Sequence, residues 1–217
     1  MSDLITLEAV DTDGAIREAE EAVAGDTRAD LFRKAALTGG AVVGGGLLLG
    51  GFPDFALAGR PSKKQDVRIL NFALTLEYLE SEFYKEALKK ANLQGDLLAT
   101  TIEVSRHENA HVRFLKLQLG SARKPKPKFD FMGKTSNAAD YLDTAVKLED
   151  TGVTAYSGQA PRILQKAVLK AAASILTVEA RHASRFRTLA GKDFAPRTFA
   201  RPATAKQVLA KAGAFIA

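Results

Sequence analysis

The sequence predicts an all-α protein: four long helices forming a bundle of two antiparallel hairpins joined by a long crossover, followed by one short helix. Three observations predict it. From Asp66 onward apolar residues recur at spacings of three and four, with almost none of the alternation that marks strands. Gly95, Gly120, Gly158 and Gly191 cut that pattern into four segments. The connections between segments run short, long, short.

The first segment aligns Leu70, Ala73, Leu74, Glu77, Ser81, Tyr84 and Leu88 on one face and is expected to end by Gly95. The second runs from about Asp96, a suitable N-cap, to Leu119, with Gly120 as C-cap. Its inner stripe is Leu97, Thr101, Val104, Glu108, His111 and Leu115. The third starts near Ser136, aligns Leu142, Ala145, Val146, Glu149, Val153 and Tyr156, and is expected to stop at Gly158. The fourth is expected to begin near Pro161, a residue suited to a first helical turn. It carries Val168, Ala172, Ile175, Leu176, Glu179, His182, Ala183, Phe186 and Leu189, and Gly191 closes it. Thr204–Ala217 reads as a short terminal helix with Val208, Leu209 and Phe215 free to pack.

Asn92–Gly95 and Ser157–Ala160 are short enough to make helices one and two, and three and four, antiparallel neighbours. The middle link, Ala122–Thr135, has 14 residues and includes Arg-Lys-Pro-Lys-Pro-Lys. Extended, it reaches roughly 45 Å, against roughly 36 Å for a helix of this length, so it can cross the whole bundle.

Charge divides the chain. Residues 1–58 hold 4 Lys/Arg against 10 Asp/Glu, and residues 59–217 hold 27 against 15. Ala35 to Pro53 is uncharged and glycine-rich, and Ala56-Leu57-Ala58 follows it. A basic cluster, an apolar run and a small-x-small step are the parts of an export signal. The segment resembles a twin-arginine signal through Arg28, Phe32 and Arg33-Lys34, although Ala29 stands where a second adjacent arginine would be. The expected organisation is a leader at 1–58, a linker at 59–65, the bundle at 66–190 and a tail with a short helix at 191–217. The bundle is then periplasmic or in the cell envelope, membrane-anchored if the leader is retained.

With no Cys, thiolate metal sites, iron–sulfur clusters, disulfides and cysteine nucleophiles are excluded. No Trp and only 7% aromatics argue against a stacking platform for single-stranded nucleic acid. No glycine-rich phosphate loop is apparent.

The chemistry lies in two matching sets. Glu108 and His111 form one Glu-x-x-His step, Glu179 and His182 another; the lone Glu77 and Glu149 precede them by 31 and 30 residues. Residues three apart share a helix face. Four carboxylates and two imidazoles in this order are the set with which a four-helix bundle holds two metal ions in its core. A lone carboxylate on an apolar stripe is costly to bury, and four facing one another are worse unless cations neutralise them. Two divalent ions balance four carboxylates, and this oxygen and imidazole set suits iron or manganese. Any single Glu on a helix is more often solvated. Yet with 12 Glu in 217 residues, two of three His with Glu at −3 arise by accident only about once in a hundred.

Tyr84 and Tyr156 lie seven residues after Glu77 and Glu149, on the same faces. They are candidates to donate hydrogen bonds to the carboxylates or to supply an electron, or else are core tyrosines. His107 points about 100° away from Glu108 and is expected at the surface. Glu80, Glu82 and Glu86 are expected to form a solvated face with Lys85, Lys89 and Lys90, and Arg113 and Arg185 to meet solvent.

At these residues the chain resembles the ferritin-like superfamily, which includes ferritin, bacterioferritin, rubrerythrin and manganese catalase. The likeness spans about Asp66–Ala190. It rests on the order of the six residues and on Glu77-Tyr78-Leu79-Glu80 through Phe83-Tyr84, Leu148-Glu149-Asp150-Thr151-Gly152 and Val178-Glu179-Ala180-Arg181-His182. The chain is most similar to the exported or plant desiccation-related branch. The resemblance implies a dimetal-carboxylate centre, commonly two iron ions, reacting with dioxygen or peroxide. Glu77, Glu108 and His111 would serve one ion and Glu149, Glu179 and His182 the other, with two of the Glu bridging. Ferroxidation, peroxide scavenging in stress protection and dimanganese catalysis all use these ligands. The bundle pairs of the pseudo-repeat allow a homodimer. A non-enzymatic alternative follows from the charge: a metal-stapled, basic module that binds an anionic surface. Export argues against nucleic acid as its partner.

Overall fold

The computed structural model describes residues 61–217. The leader and its export signal, and the first two linker residues, lie outside the described residues. Among these, no helix is long and apolar enough to cross a membrane.

Four long helices and one short one make up the described chain: α1 (Lys63–Lys90), α2 (Gly95–Leu119), α3 (Ala138–Gln159), α4 (Lys166–Leu189) and α5 (Ala205–Ala212). The helix pairs α1–α2 and α3–α4 form hairpins, and the two hairpins pack α1 on α3 and α2 on α4. Phe72, Leu74, Leu79, Phe83, Leu115, Tyr141 and Phe186 fill the interior.

α1 starts three residues earlier than Asp66, because the Ser62 hydroxyl accepts from the Gln65 amide at 3.1 Å and caps it. It also stops sooner than Gly95: the chain leaves the helix after Lys90, turns through Asn92 with φ of 50°, and re-enters a helix at Gly95. Asp96 therefore lies in the first turn of α2, where its charge suits the helix dipole, and is not the cap. Gly120, with φ of 52°, ends α2. Asn137 caps α3 by accepting from the Asp140 amide at 2.9 Å.

Two boundaries differ from expectation for tertiary reasons. Gly158 does not stop α3 but lies inside it. A Cβ there would lie 1.9 Å from the Ala203 carbonyl oxygen, so the glycine admits the C-terminal segment, whose Ala203 amide bonds the Thr154 carbonyl at 2.9 Å. Pro161 sits in a separate 3₁₀ turn, Ala160–Arg162, and α4 begins only at Lys166. The reason is Asp66 on α1. Its buried carboxylate accepts from the amides of Leu164 at 2.8 Å and Gln165 at 2.9 Å, which supplies α4 with an N-terminal cap from another helix.

The crossover runs along α1. It is tied at one end by Asn71, which donates to the Ala122 carbonyl at 3.0 Å and accepts from the Lys124 amide at 2.7 Å. At the other end Thr135 donates to Glu86 at 2.6 Å. Asn71 and Glu86 are separated by roughly 22 Å of helix, so the tethered part of the link covers about half the length of α1. Midway it pairs with the C-terminus through a Phe129–Ile216 bridge. α5 is closed by a reciprocal Thr204–Gln207 capping box and buries Val208 and Ala212.

Candidate metal centre

Each long helix delivers its acidic residue at mid-length, where the apolar stripe faces the bundle axis. Glu77, Glu108, Glu149 and Glu179 are all 0% exposed, and the side chains of His111 and His182 are 12% and 6% exposed. The six residues form two overlapping groups of possible ligand atoms, each within 4.8 Å: Glu77, Glu108, His111 and Glu179, and Glu108, Glu149, Glu179 and His182. Glu108 and Glu179 belong to both. The sequence reading expected two of the Glu to bridge without saying which; the two overlapping groups single out Glu108 and Glu179 as the shared pair.

Both imidazoles present Nδ1 to the carboxylates. His111 Nδ1 lies 3.1 Å from Glu77 Oε2, 3.0 Å from Glu108 Oε2 and 3.2 Å from Glu179 Oε1. His182 Nδ1 lies 3.0 Å from Glu108 Oε1 and 3.4 Å from Glu149 Oε2. Tyr84 on α1 donates to Glu149 Oε1 on α3, and Tyr156 on α3 donates to Glu77 Oε1 on α1 at 2.6 Å. Each tyrosine thus serves the carboxylate of the opposite hairpin. Both phenols are held well above their ordinary range by burial and by these carboxylates, so they remain protonated donors.

Without cations the cluster is electrostatically poor. Burial, together with neighbouring carboxylates, pushes Glu108 and Glu179 well above the usual carboxyl range. Burial opposes protonation of His111 and His182, but hydrogen bonds donated to the surrounding carboxylates, and their charge, outweigh it and raise both. Burial also acts upward on Glu77, yet His111 draws it below its ordinary value. Glu108 Oε1, Glu149 Oε2, both Glu179 oxygens and His182 Nδ1 are buried with no satisfactory hydrogen-bond partner. Buried polar atoms rarely go unpartnered. These are the atoms that divalent ions would take, and the donor set of carboxylate oxygens plus imidazole fits iron or manganese.

One residue departs from the sequence reading, and another does so in part. Glu80 is not on a solvated face; it is 3% exposed beside the centre. Burial, then the charges of Glu179 and Glu149, push its carboxyl far upward. It lies three residues after Glu77, the same spacing that marked His111 after Glu108, so the signal was in the sequence. His107 lies at the surface as expected, but only partly exposed and not free there. Its direction away from Glu108 leads to α4, where His107 Nδ1 meets His182 Nε2 at 2.9 Å, and its ring is about 29% exposed. Arg106 Nη2 stands 3.0 Å from the far ring nitrogen of His107. Glu82 and Glu86 do form a solvated face with Lys85 and Lys90. Arg185 reaches Asp96 at 3.2 Å rather than solvent alone.

A model of the ferritin-like domain matches residues 65–192, which take in all six residues of the cluster and all four long helices except the first two residues of α1. The chain belongs to the ferritin-like domain family. No curated protein matches it. In the terms of that family, the ferritin-like bundle here carries a Glu/His cluster on its axis that could hold metal.

Outside the centre, the crossover and α1 enclose a surface groove of about 580 Å³ whose lining includes five lysines, among them Lys85, Lys126 and Lys128, together with Glu82, Glu86 and two phenylalanines. Lys126 is held by Glu82 at 2.8 Å.

Proposed function

We propose that this chain is a dimetal-carboxylate protein, most simply di-iron, that reacts with dioxygen or peroxide as a ferroxidase or peroxide scavenger in stress protection. The observation that carries the reading is the set of buried, unpartnered carboxylate and imidazole atoms that four helices bring into two overlapping ligand groups. Glu108 and Glu179 would be shared between the two ions, with Glu77 and His111 holding one and Glu149 and His182 the other. Two bound ions supply the electrons and the Lewis acidity for work on an oxygen species. The protein's own part is to hold them. Tyr84 and Tyr156 fix the terminal carboxylates, and the apolar stripes exclude bulk water. His111 is the more exposed of the two imidazoles and marks the side from which a small molecule enters.

Metal analysis of the purified full chain, beside Glu108→Ala, tests the reading. About two ions per chain, lost in the variant, support it; no stoichiometric metal in a helical, folded protein refutes it. Iron together with oxygen consumption on adding ferrous iron supports ferroxidation. Manganese together with oxygen release from peroxide supports the dimanganese catalase alternative.

The lysine groove supports a second reading, docking on an anionic surface, with the described residues carrying 26 Lys/Arg against 15 Asp/Glu. Steeply salt-dependent binding to an anionic polymer, retained without metal, favours it. Export is proposed from the leader pattern alone. A mature N-terminus near Gly59 in protein from its native source supports cleavage, and an intact leader argues against it.

A further inference from the structure

The pseudo-repeat that places matching ligands on the two hairpins fails at one position in the core. Three residues after Glu77 comes Glu80; three residues after Glu149 comes Gly152. The two face each other where α1 meets α3. A Cβ on Gly152 would lie 3.4 Å from Glu80 Oε1 and 3.0 Å from Glu179 Oε2, so both oxygens converge on the space that the glycine leaves. A side chain there would press on both.

Glu80 has no evident structural duty. No hydrogen bond or ion pair to it occurs among the described residues, although it is almost wholly buried. Both oxygens of Glu179, its neighbour across the gap, also lack a hydrogen bond of good geometry, although Oε1 lies 3.2 Å from His111 Nδ1. The carboxylates that bear on it most strongly are Glu179 and then Glu149, ahead of Glu77 on its own helix. A buried carboxyl group without a partner is a liability unless a cation or a donor reaches it.

We propose that Glu80 is a seventh metal ligand, reaching the position of Glu149, Glu179 and His182 through the gap at Gly152. The inference rests on the dimetal reading. It makes the two positions unequal. The Glu149 side draws on five protein ligands (Glu80, Glu108, Glu149, Glu179 and His182), whereas the Glu77 side has four. The less saturated position is therefore the one beside His111, the more exposed imidazole. That is the position left open for an exogenous oxygen species, while Glu80 closes the other.

Titration of the metal-free full-length protein with Co(II), read by calorimetry and by the visible Co(II) spectrum, tests this on the wild type, Glu80→Gln and Gly152→Ala. In the wild type, two ions bind in steps of unequal affinity. In Glu80→Gln two ions still bind, but the tighter step weakens by about tenfold or more, and the Co(II) bands of one ion change. Gly152→Ala weakens the same step. Metal-free Glu80→Gln melts close to metal-free wild type, because the buried carboxyl is already neutral there, yet gains less on adding Co(II). Two ions in both proteins with unchanged affinities and bands would remove Glu80 from the ligand set and leave the dimetal reading standing. A metal-free Glu80→Gln that melts below the wild type would make Glu80 structural and overturn the proposal. No Co(II) binding by the wild type would sink the dimetal reading and the seventh ligand together.

Discussion

The α1–α2 hairpin and the α3–α4 hairpin offer matching residues at matching places: Glu77 and Glu149, Tyr84 and Tyr156, Glu108/His111 and Glu179/His182. Their surroundings do not match. The first hairpin adds Glu80 where the second has Gly152. It also adds His107, 71 residues before Val178, so that His182 has an imidazole behind it at 2.9 Å. His111 has no such support among the described residues and is twice as exposed, at 12% against 6%. Repetition supplies a ligand set. The departures from it are both carried by the first hairpin and, on the seven-ligand proposal, would turn two equivalent positions into a saturated one and an open one.

The largest effect that can break this comparison is at the shared pair. Glu108→Ala should reduce bound metal from about two ions to none, because both ligand groups contain Glu108, whereas Glu77→Ala or Glu149→Ala should each remove one. Elemental analysis of the three variants decides it, and one ion retained in Glu108→Ala would mean that Glu108 does not bridge.

Next in size is the response to pH. Glu80, Glu108 and Glu179 are raised above the ordinary carboxyl value of 4.5, and His111 and His182 above 6.5. Groups raised on folding stabilise fully at acidic pH, below their unfolded values, and lose that contribution as pH climbs through the folded ones. Around the centre Glu77 and His107 are lowered and work in the opposite sense, two groups against five. The metal-free protein should therefore melt progressively lower from about pH 5 to 8. Metal binding displaces these protons, so the rise in Tm on adding metal should grow over the same range. Calorimetric scans with and without metal read both, and a metal-free Tm that climbs with pH would contradict the charge assignment.

A smaller effect separates the two imidazoles. His107 Nδ1 stands 2.9 Å from His182 Nε2 and holds that ring in place behind its carboxylate-facing Nδ1. His107→Phe should weaken one metal step by about tenfold, with partial recovery in His107→Gln, while Val178→Leu leaves both steps unchanged. Equal weakening of both steps by His107→Phe would mean general loosening. The smallest effects belong to the tyrosines. Tyr84→Phe and Tyr156→Phe should each cost about 1–3 kcal/mol of metal-free stability by leaving a buried carboxylate oxygen unpartnered. Denaturant melts should find the two costs similar, since the crosswise bonds are counterparts; a gap beyond that range would extend the asymmetry to the phenols.

Much of this was legible in the sequence, for a physical reason. Helical periodicity is a local property, so the apolar stripes locate four helices, and the i, i+3 rule places Glu108 with His111 and Glu179 with His182 on common faces. The same rule applied to Glu77 and Glu80, but Glu80 sits among Glu82, Lys85 and Glu86, and a charged neighbourhood reads as a wet face. What was not legible depended on another element. Gly158 looks like a stop until Ala203 lies across it. Pro161 looks like a helix start until Asp66, nearly a hundred residues earlier, caps α4 at Gln165. His107 looks outward until α4 is placed beside it. In each case the deciding partner is distant in sequence.

The burial of five carboxylates on the axis has one more consequence. Folding must desolvate those charges before any cation offsets them, so the stability of the folded chain rises with the logarithm of free metal above its dissociation constant. Unfolded chains are cleared by proteases, and a change of 1–2 kcal/mol alters abundance several-fold. The amount of this protein that survives in its compartment should then follow the local metal supply with no transcriptional signal at all: turnover itself becomes the sensor, and the acidic axis sets its threshold.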